Sequence, residues 1–241
     1  MLDRLELPTH EHSNAFWSAP ITVKRLAVLV LNASHDSWHM GGVGMHSSAL
    51  FWTLWSHAQL TVCADGGANR FAKGTTVVKD PDQSTNDLDK CLRLVYQQQQ
   101  EHYTTENSVT DLFSVLIFGA MGGRFDQEMQ NINALFRWSG KFQELVLLSD
   151  ETTARLLEPN VRHVITPNFA YETRTCGLIP VAGTCEETTT SGLKWNLTPG
   201  METGFGGLIS TSNHVDDACE QVEVVASHPL IWTTELKRPL D

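Results

Sequence analysis

Short apolar runs alternate with helix-like stretches along the first part of this chain. Leu26 to Leu31 is a continuous apolar run, and Leu60–Ala64, Leu112–Phe118 and Leu145–Leu148 repeat the pattern. Runs this short, without polar alternation, predict strands buried on both faces. Between them, Leu50, Phe51, Leu54, Trp55 and Ala58 recur at helical spacing, as do Leu88, Cys91, Leu92 and Val95. Ser84 and Asp87 stand before the second set as a capping-box-like pair. A third helical pattern follows Asp126. Strands alternating with helices predict a doubly wound, mostly parallel sheet.

The character changes near Pro159. Cys176–Val181, Glu187–Thr190, Leu193–Leu197, Gly207–Thr211, Gln221–Val225 and Leu230–Thr234 are short and separated by glycine, proline or Asp-Asp. Leu193, Trp195 and Leu197 alternate with polar neighbours. Such segments predict an antiparallel sandwich or barrel. The fold class expected is α/β, with an N-terminal doubly wound sheet and a C-terminal all-β sandwich. Residues 1–20 are polar and end at Pro20; they are expected to form a loose leader. Residues 21–158 are expected to be the α/β domain and 159–241 the sandwich.

Composition narrows the chemistry. The 241 residues carry a formal net charge of −11. That balance disfavours a nucleic-acid backbone as partner and suits a cationic small molecule. No apolar run approaches the ~18 residues of a membrane-spanning helix. The acidic, polar N-terminus does not read as a signal peptide. Five cysteines with no C-x-x-C pair point to free thiols in a reducing cytoplasm.

Candidate chemistry concentrates at strand ends. The run Leu112–Phe118 feeds a turn containing Gly122, Gly123, Arg124 and Asp126 before a helix begins. Strand, glycine turn and helix present N–H groups and a helix N-terminus to an anion. Arg124 adds a fork of donors suited to phosphate, and Asp126 suits either a metal ion or a helix cap. Upstream, Cys63-Ala-Asp-Gly-Gly-Ala-Asn-Arg70 closes another strand. There Asp65 can bind Mg²⁺ or a substrate group, and Gly66 and Gly67 allow close backbone approach. An ordinary Asp-Gly turn is the bland alternative. Pro81-Asp-Gln-Ser-Thr-Asn-Asp87 sets Asp82 and Asp87 before a helix, as phosphate-side carboxylates or as acidic residues complementing the helix dipole. Trp195 is either core or a face for a flat cation. Ser210-Thr-Ser-Asn213 offers hydroxyls and an amide, and by itself is a turn.

Together these words resemble thiamin pyrophosphokinase of the eukaryotic type. The resemblance rests on Cys63-Ala-Asp-Gly-Gly-Ala-Asn-Arg70, Pro81-Asp-Gln83 with Asp87, Gly122-Gly-Arg-Phe-Asp-Gln127, Cys176-Gly-Leu-Ile-Pro180, Thr190-Ser-Gly-Leu-Lys-Trp-Asn-Leu197, Ser210-Thr-Ser-Asn213 and His228-Pro-Leu230. It implies a homodimer with an α/β nucleotide-binding domain and a thiamin-binding β-sandwich. It also implies transfer of a pyrophosphoryl group from ATP to thiamin, giving thiamin diphosphate and AMP, with Mg²⁺ as cofactor. By position, Asp65, Asp87, Arg124 and Asp126 would be catalytic, with Asp65 and Asp87 holding metal. Gly66, Gly67, Asn69, Arg70, Gln83, Gly122, Gly123, Trp195, Ser212 and Asn213 would bind substrates.

One departure stands out. The family carries a Gly-Asp-Phe-Asp-Ser segment between its Asn-Arg and Pro-Asp-Gln words, and only Phe71 to Asp80 joins them here. The resemblance thus implies an internal deletion near Phe71–Lys73, two missing metal-binding aspartates and a lowered rate. The alternative is a chain that binds thiamin without turning it over.

Overall fold

The computed structural model describes residues 7–17, 21–31, 49–64, 78–101 and 112–237. The chain divides into two compact units: Ile21–Asp150 with Pro239–Asp241, and Glu151–Arg238 with Met1–Pro20.

In the first unit, β2 (Leu26–Val30), β3 (Leu60–Cys63), β4 (Ser114–Phe118) and β5 (Glu144–Leu148) pair in parallel, in the order β3-β2-β4-β5. Every residue of β2 and β4 is buried. That explains the apolar runs Leu26–Val30 and Val115–Phe118, because strands flanked on both sides and covered on both faces have no solvent-facing positions. Helix α1 (Ala49–His57) packs on β2, and its Phe51 meets Phe118 of β4 edge to face at 5.1 Å.

Helices α2 (Asp87–Glu101) and α3 (Phe125–Arg137) pack against each other. Leu88, Cys91, Leu92 and Val95 form the buried stripe of α2 as the spacing predicts. The cap differs from the expected Ser84–Asp87 pair: Asn86 Oδ1 accepts the Asp89 N–H at 2.9 Å. Asn is a strong N-cap because its short side chain reaches the unsatisfied N–H groups of the first turn. Gln99, fully buried near the other end of α2, accepts from Phe113 N–H at 2.8 Å and donates to Lys141 O at 2.9 Å. It satisfies backbone groups just before β4 and β5, where the ladder has ended.

The second unit contains two sheets. One orders β1 (Thr9–Ser13), β7 (Arg162–Thr166), β11 (Val222–Ala226) and β9 (Thr188–Ser191) as β1-β7-β11-β9. The other aligns β10 (Ser210–His214), β8 (Glu172–Ile179), β12 (Leu230–Leu236) and β6 (Thr152–Leu157) in antiparallel pairs. Their shared core includes Leu157, Ile165, Leu178, Val222, Val224 and Trp232.

Three expectations are corrected. The supposed leader contributes β1, which pairs in parallel with β7 from Thr9↔Arg162 to Ser13↔Thr166. The second unit begins at Glu151, upstream of Pro159, because β6 already belongs to it. Leu193–Leu197 is a turn joined to the sheet by a single bridge from Leu193 to Val215.

Candidate functional site

In the α/β unit, β4 ends in the glycine turn. Gly122 and Gly123 have φ of +87° and +83°. Residues with a Cβ rarely adopt this left-handed region, so two glycines in succession are what this turn requires. Asn131 of α3 donates to Ala120 O at 2.7 Å and ties the turn to the helix behind it. Arg124 precedes α3 without a side-chain cap. Its guanidinium forms a two-pronged pair with Asp126, Nε to Oδ1 at 3.1 Å and Nη2 to Oδ2 at 2.5 Å. Hydrogen bonding to Arg124 holds the Asp126 carboxyl below its ordinary range and raises the Arg124 pKa in return. Both side chains are exposed. Asp126 therefore acts as Arg124's partner, and backbone N–H groups of the first turn of α3 also hold its carboxylate.

Glu128, which sequence reasoning missed, reaches back to the Gly122 N–H at 3.1 Å. A carboxylate thus occupies a donor of the turn that would otherwise face an anion. The available signal was a glutamate in the first turn of a helix that follows glycines.

Asp82 accepts from the Ser84 hydroxyl at 2.6 Å, the Thr85 hydroxyl and the Ser84 N–H at 2.8 Å, which together hold its carboxyl well below the usual range. It is a loop-forming residue, as Asx turns commonly are. Gln83 is exposed beside it. Asp87 is also exposed, with Lys90 Nζ at 3.9 Å. Asp89, two residues on, is 1% exposed and bonded to Arg137 at 2.5 Å, Trp138 Nε1 at 2.7 Å and Asn86.

That arrangement ties the start of α2 to the end of α3. Arg124 lies at the other end of α3, whose 13 residues span about 20 Å at 1.5 Å per residue. Asp87 and Arg124 make no hydrogen bond or ion pair with each other. Asp65, Gly66, Gly67, Asn69 and Arg70 lie outside the described residues, as does the Phe71–Lys73 junction.

In the sandwich unit, a cavity of about 360 Å³ is lined by Trp195, Ser212, Asn213, His214, Asp216 and Asp217, among others. Trp195 is 56% exposed, so it is not a core residue and its indole is presented to solvent. The turn that carries it is braced from inside. Asn196 Nδ2 donates to Leu193 O at 2.8 Å, and its Oδ1 accepts from Leu193 N–H at 3.1 Å and the Thr190 hydroxyl at 3.0 Å. Asn213 is buried and holds the Trp195 backbone. Its amide is so fully engaged that it positions the indole instead of offering itself to a ligand. Ser212 sits at φ +54°, where the β8–β10 register shifts between Ser210 and Asn213. The bulge turns it toward the cavity rim.

Lys194, another residue the sequence reading passed over, places Nζ 4.8 Å from the centre of the Trp195 ring. The ring face thus already attracts a cation in this structure. Asp217, 89% exposed, lies 3.5 Å from Arg174 and 3.7 Å from His214, adding negative charge at the rim. An indole face beside carboxylates is a receptor for a flat cationic ring.

A parallel-sheet unit with a glycine turn, and a β-sandwich with an aromatic-walled cavity, define a two-part architecture. Yeast thiamin pyrophosphokinase shares this fold in its crystal structure, with a TM-score of 0.73 at 19% identity, covering 95% of this chain and 92% of that one. Residues 71–147 match the family model described as the thiamin pyrophosphokinase catalytic domain, and residues 162–231 that of its vitamin B1 binding domain. Thiamine pyrophosphokinase 1 of Arabidopsis thaliana is 36% identical over 227 residues, 77% of this chain and 81% of that protein. Thiamine pyrophosphokinase 1 of Oryza sativa subsp. japonica is 33% identical over 284 residues, covering 97% of this chain and all of that protein. The chain belongs to the thiamin pyrophosphokinase family.

Proposed function

We propose that the protein is a thiamine diphosphokinase, transferring a pyrophosphoryl group from ATP to thiamin and releasing AMP. The observation that carries this reading is the cavity walled by Trp195, with Asp216 and Asp217 at its edge, in a chain of this family. Thiamin's permanent thiazolium charge suits an indole face and nearby carboxylates. Its hydroxyethyl oxygen bonds to the β-phosphorus, the bond from that phosphorus to the α,β-bridging oxygen breaks, and the hydroxyl proton leaves to solvent. Such a transfer depends on positioning and charge neutralisation. Arg124, with its guanidinium on an exposed glycine turn, is assigned to the polyphosphate. Gln83, Gly122, Gly123 and Ser212 are assigned to substrate contacts, and Asp65, Gly66, Gly67, Asn69 and Arg70 to the same surface.

Mg²⁺ is the metal we propose. It is usually held by one or two carboxylates together with substrate phosphates. Asp87 has the carboxylate for that role, exposed and with only a 3.9 Å contact with Lys90, although it stands near the end of α3 away from Arg124. Asp126 fits less well, because each of its oxygens already accepts a bond from Arg124. Asp65 is assigned as the second ligand. When bound, the ion neutralises phosphate oxygen charge.

We place the enzyme in the cytoplasm as a homodimer with a doubly wound sheet in its α/β unit. The free cysteines accord with a reducing compartment. No described helix is long and apolar enough to cross a membrane. Exposed Phe205 and Leu208 give the sandwich apolar surface that a second copy can cover. Helices on β2, β3 and β5 agree with a covered sheet.

The proposed reading includes an internal deletion near Phe71–Lys73. The Arabidopsis alignment extends over 227 residues but takes in only 77% of this chain, so that relative has positions without a counterpart here. A chain lacking two acidic ligands would bind thiamin while turning it over slowly, and the commitment of Asp126 to Arg124 favours this second reading. An assay for AMP, dependent on both thiamin and Mg²⁺, decides between them. Quenching of Trp195 fluorescence by thiamin without AMP release identifies the binding-only form.

A further inference from the structure

Three histidines of the sandwich unit meet where β1 lies along β7. His10 and His12 are two residues apart on β1, so they project from the same face of the strand. His163 on β7 is the register partner of His10. One ring nitrogen from each lies within 4.8 Å of the other two. His12 and His163 are 3% and 1% exposed, whereas His10 is half-buried and nearest to solvent.

One hydrogen bond assigns the tautomer of His163. His163 Nε2 lies 2.9 Å from Glu158 O. A carbonyl only accepts, so Nε2 carries the proton. In the neutral ring, Nδ1 is then a lone pair, and it faces His12 Nε2 at 2.8 Å. A ring that donates one N–H to a backbone carbonyl while aiming its bare nitrogen at a cluster of imidazoles is oriented as metal-ligating histidines are.

We propose that His10, His12 and His163 form a site for a late first-row divalent cation, represented by Zn²⁺, that clasps the N-terminal strand to the sandwich. Neither the proposed transfer reaction nor its Mg²⁺ uses these residues. Three imidazoles suit Zn²⁺, Co²⁺, Ni²⁺ or Cu²⁺ and not Mg²⁺, which takes oxygen ligands. Tetrahedral Zn²⁺ with bonds near 2.0–2.1 Å needs ligand nitrogens about 3.3 Å apart. The 2.8 Å pair and the 4.8 Å limit bracket that spacing. Binding displaces the proton that His12 Nε2 shares with His163 Nδ1, so that both nitrogens face the ion. The rings of His10 and His12 are stacked at 4.3 Å, so a turn about the side-chain torsions aims them inward. Water supplies the fourth ligand.

The clasp spans a large separation in sequence. β1 is an edge strand of polar residues, Thr9-His-Glu-His-Ser13, with little apolar area of its own to hold it. A metal bonded to both strands ties it down, and any agent that binds only the folded form stabilises it by mass action.

The test uses the full chain, stripped with chelator and titrated with Zn²⁺ alone, with Mg²⁺ as a parallel titration. The expected result is one equivalent of Zn²⁺ bound, a melting temperature that rises with Zn²⁺ and not with Mg²⁺, and at least a tenfold loss of affinity in His10→Asn. X-ray absorption on the wild-type Zn²⁺ form needs no variant and should show a first shell of imidazole nitrogens and oxygen. Thiolate sulfur in that shell would overturn the proposal, because it would assign the ion to cysteines. So would less than half an equivalent bound, or equal affinity in folded His10→Asn and His12→Asn chains.

Discussion

Asn213 grips both backbone polar groups of Trp195: its Nδ2 donates to Trp195 O at 2.9 Å, and its Oδ1 accepts from Trp195 N–H at 3.4 Å. The same amide also binds Ser210 Oγ at 2.9 Å and His214 N–H at 2.8 Å. One buried side chain thereby sets the height and direction of the indole over the cavity. Asn213→Ala should raise the KM for thiamin at least tenfold with a smaller change in kcat, because it disorders the platform without removing it. Trp195→Ala should abolish thiamin-dependent quenching, and Trp195→Phe should recover part of the binding. Steady-state kinetics and fluorescence titration check both. Unchanged quenching in Trp195→Ala would move the thiamin site elsewhere.

Asp87 and Asp89 are two residues apart and have opposite roles. Asp89 is buried among Arg137, Trp138 and Asn86, and Asp87 faces solvent. Asp89→Ala should cost about 1–3 kcal/mol, since it strands donors that were bonded to a charged acceptor. For a chain of this size each kcal/mol lowers Tm by about 2–4 °C. Asp87→Asn should leave Tm unchanged and lower kcat at least tenfold, with a rise in the Mg²⁺ concentration needed for half-maximal rate. Thermal melts and a metal titration of the AMP assay separate the two effects.

Arg124 pairs with Asp126 through two parallel bonds, and a phosphate presents the same two-oxygen geometry. Arg124→Lys keeps the charge and loses the fork. It should lower kcat/KM for ATP by about 10–100-fold, in line with the loss of one preorganised charged donor pair. The affinity for thiamin, measured by quenching, should not change.

Gly192 has φ +83°, and a Cβ there would stand 2.2 Å from Gln221 O. Gly192→Ala meets both a left-handed backbone and a main-chain clash. The strained conformation alone costs about 1–3 kcal/mol, and displacement of the segment before β11 adds to it. The variant should melt at least 5 °C lower and bind thiamin more weakly, because Gly192 opens the turn that carries Trp195. Equal stability by thermal melt would mean the turn relaxes freely.

Glu172 is fully buried, and burial raises its pKa above the ordinary carboxyl value, although Asn168 N–H and Asn14 Nδ2, each at 2.6 Å, pull the other way with Arg155. A raised folded pKa means that the folded state holds this proton more tightly than the unfolded chain. The contribution is therefore largest below the unfolded pKa of ~4.3 and declines as pH rises through the folded value. Glu172→Gln should flatten the fall in Tm on the alkaline side of that range while leaving the acid side less affected. Melts from pH 4 to pH 8 check the sign.

Much of the α/β unit was legible because its chemistry is local. The runs that became β2 and β4 could be nothing but covered strands, and the stripe of α2 needed only helical spacing. β1 was hidden because Thr9-His-Glu-His-Ser13 is polar, and its pairing with β7 lies far along the chain. The alternation of Leu193, Trp195 and Leu197 imitated a strand, yet Gly192 and the side chain of Asn196 close it into a turn. Asp126 read as suited to either a metal ion or a helix cap, and the arginine two residues before it pairs with it. The glycine turn and the indole were readable as types. The groups that position them, Asn131 and Asn213, come from separate elements and leave no local signal.

The parallel contact of β1 with β7 makes the sandwich a discontinuous domain. Thr9–Ser13 leaves the ribosome early, and its partner is not made until Arg162–Thr166 has been translated. The unit formed by residues 21–150 can therefore close first, while a nascent edge strand waits for its sheet. A fragment beginning at Glu151 would lack that strand and expose the bare hydrogen-bonding edge of β7.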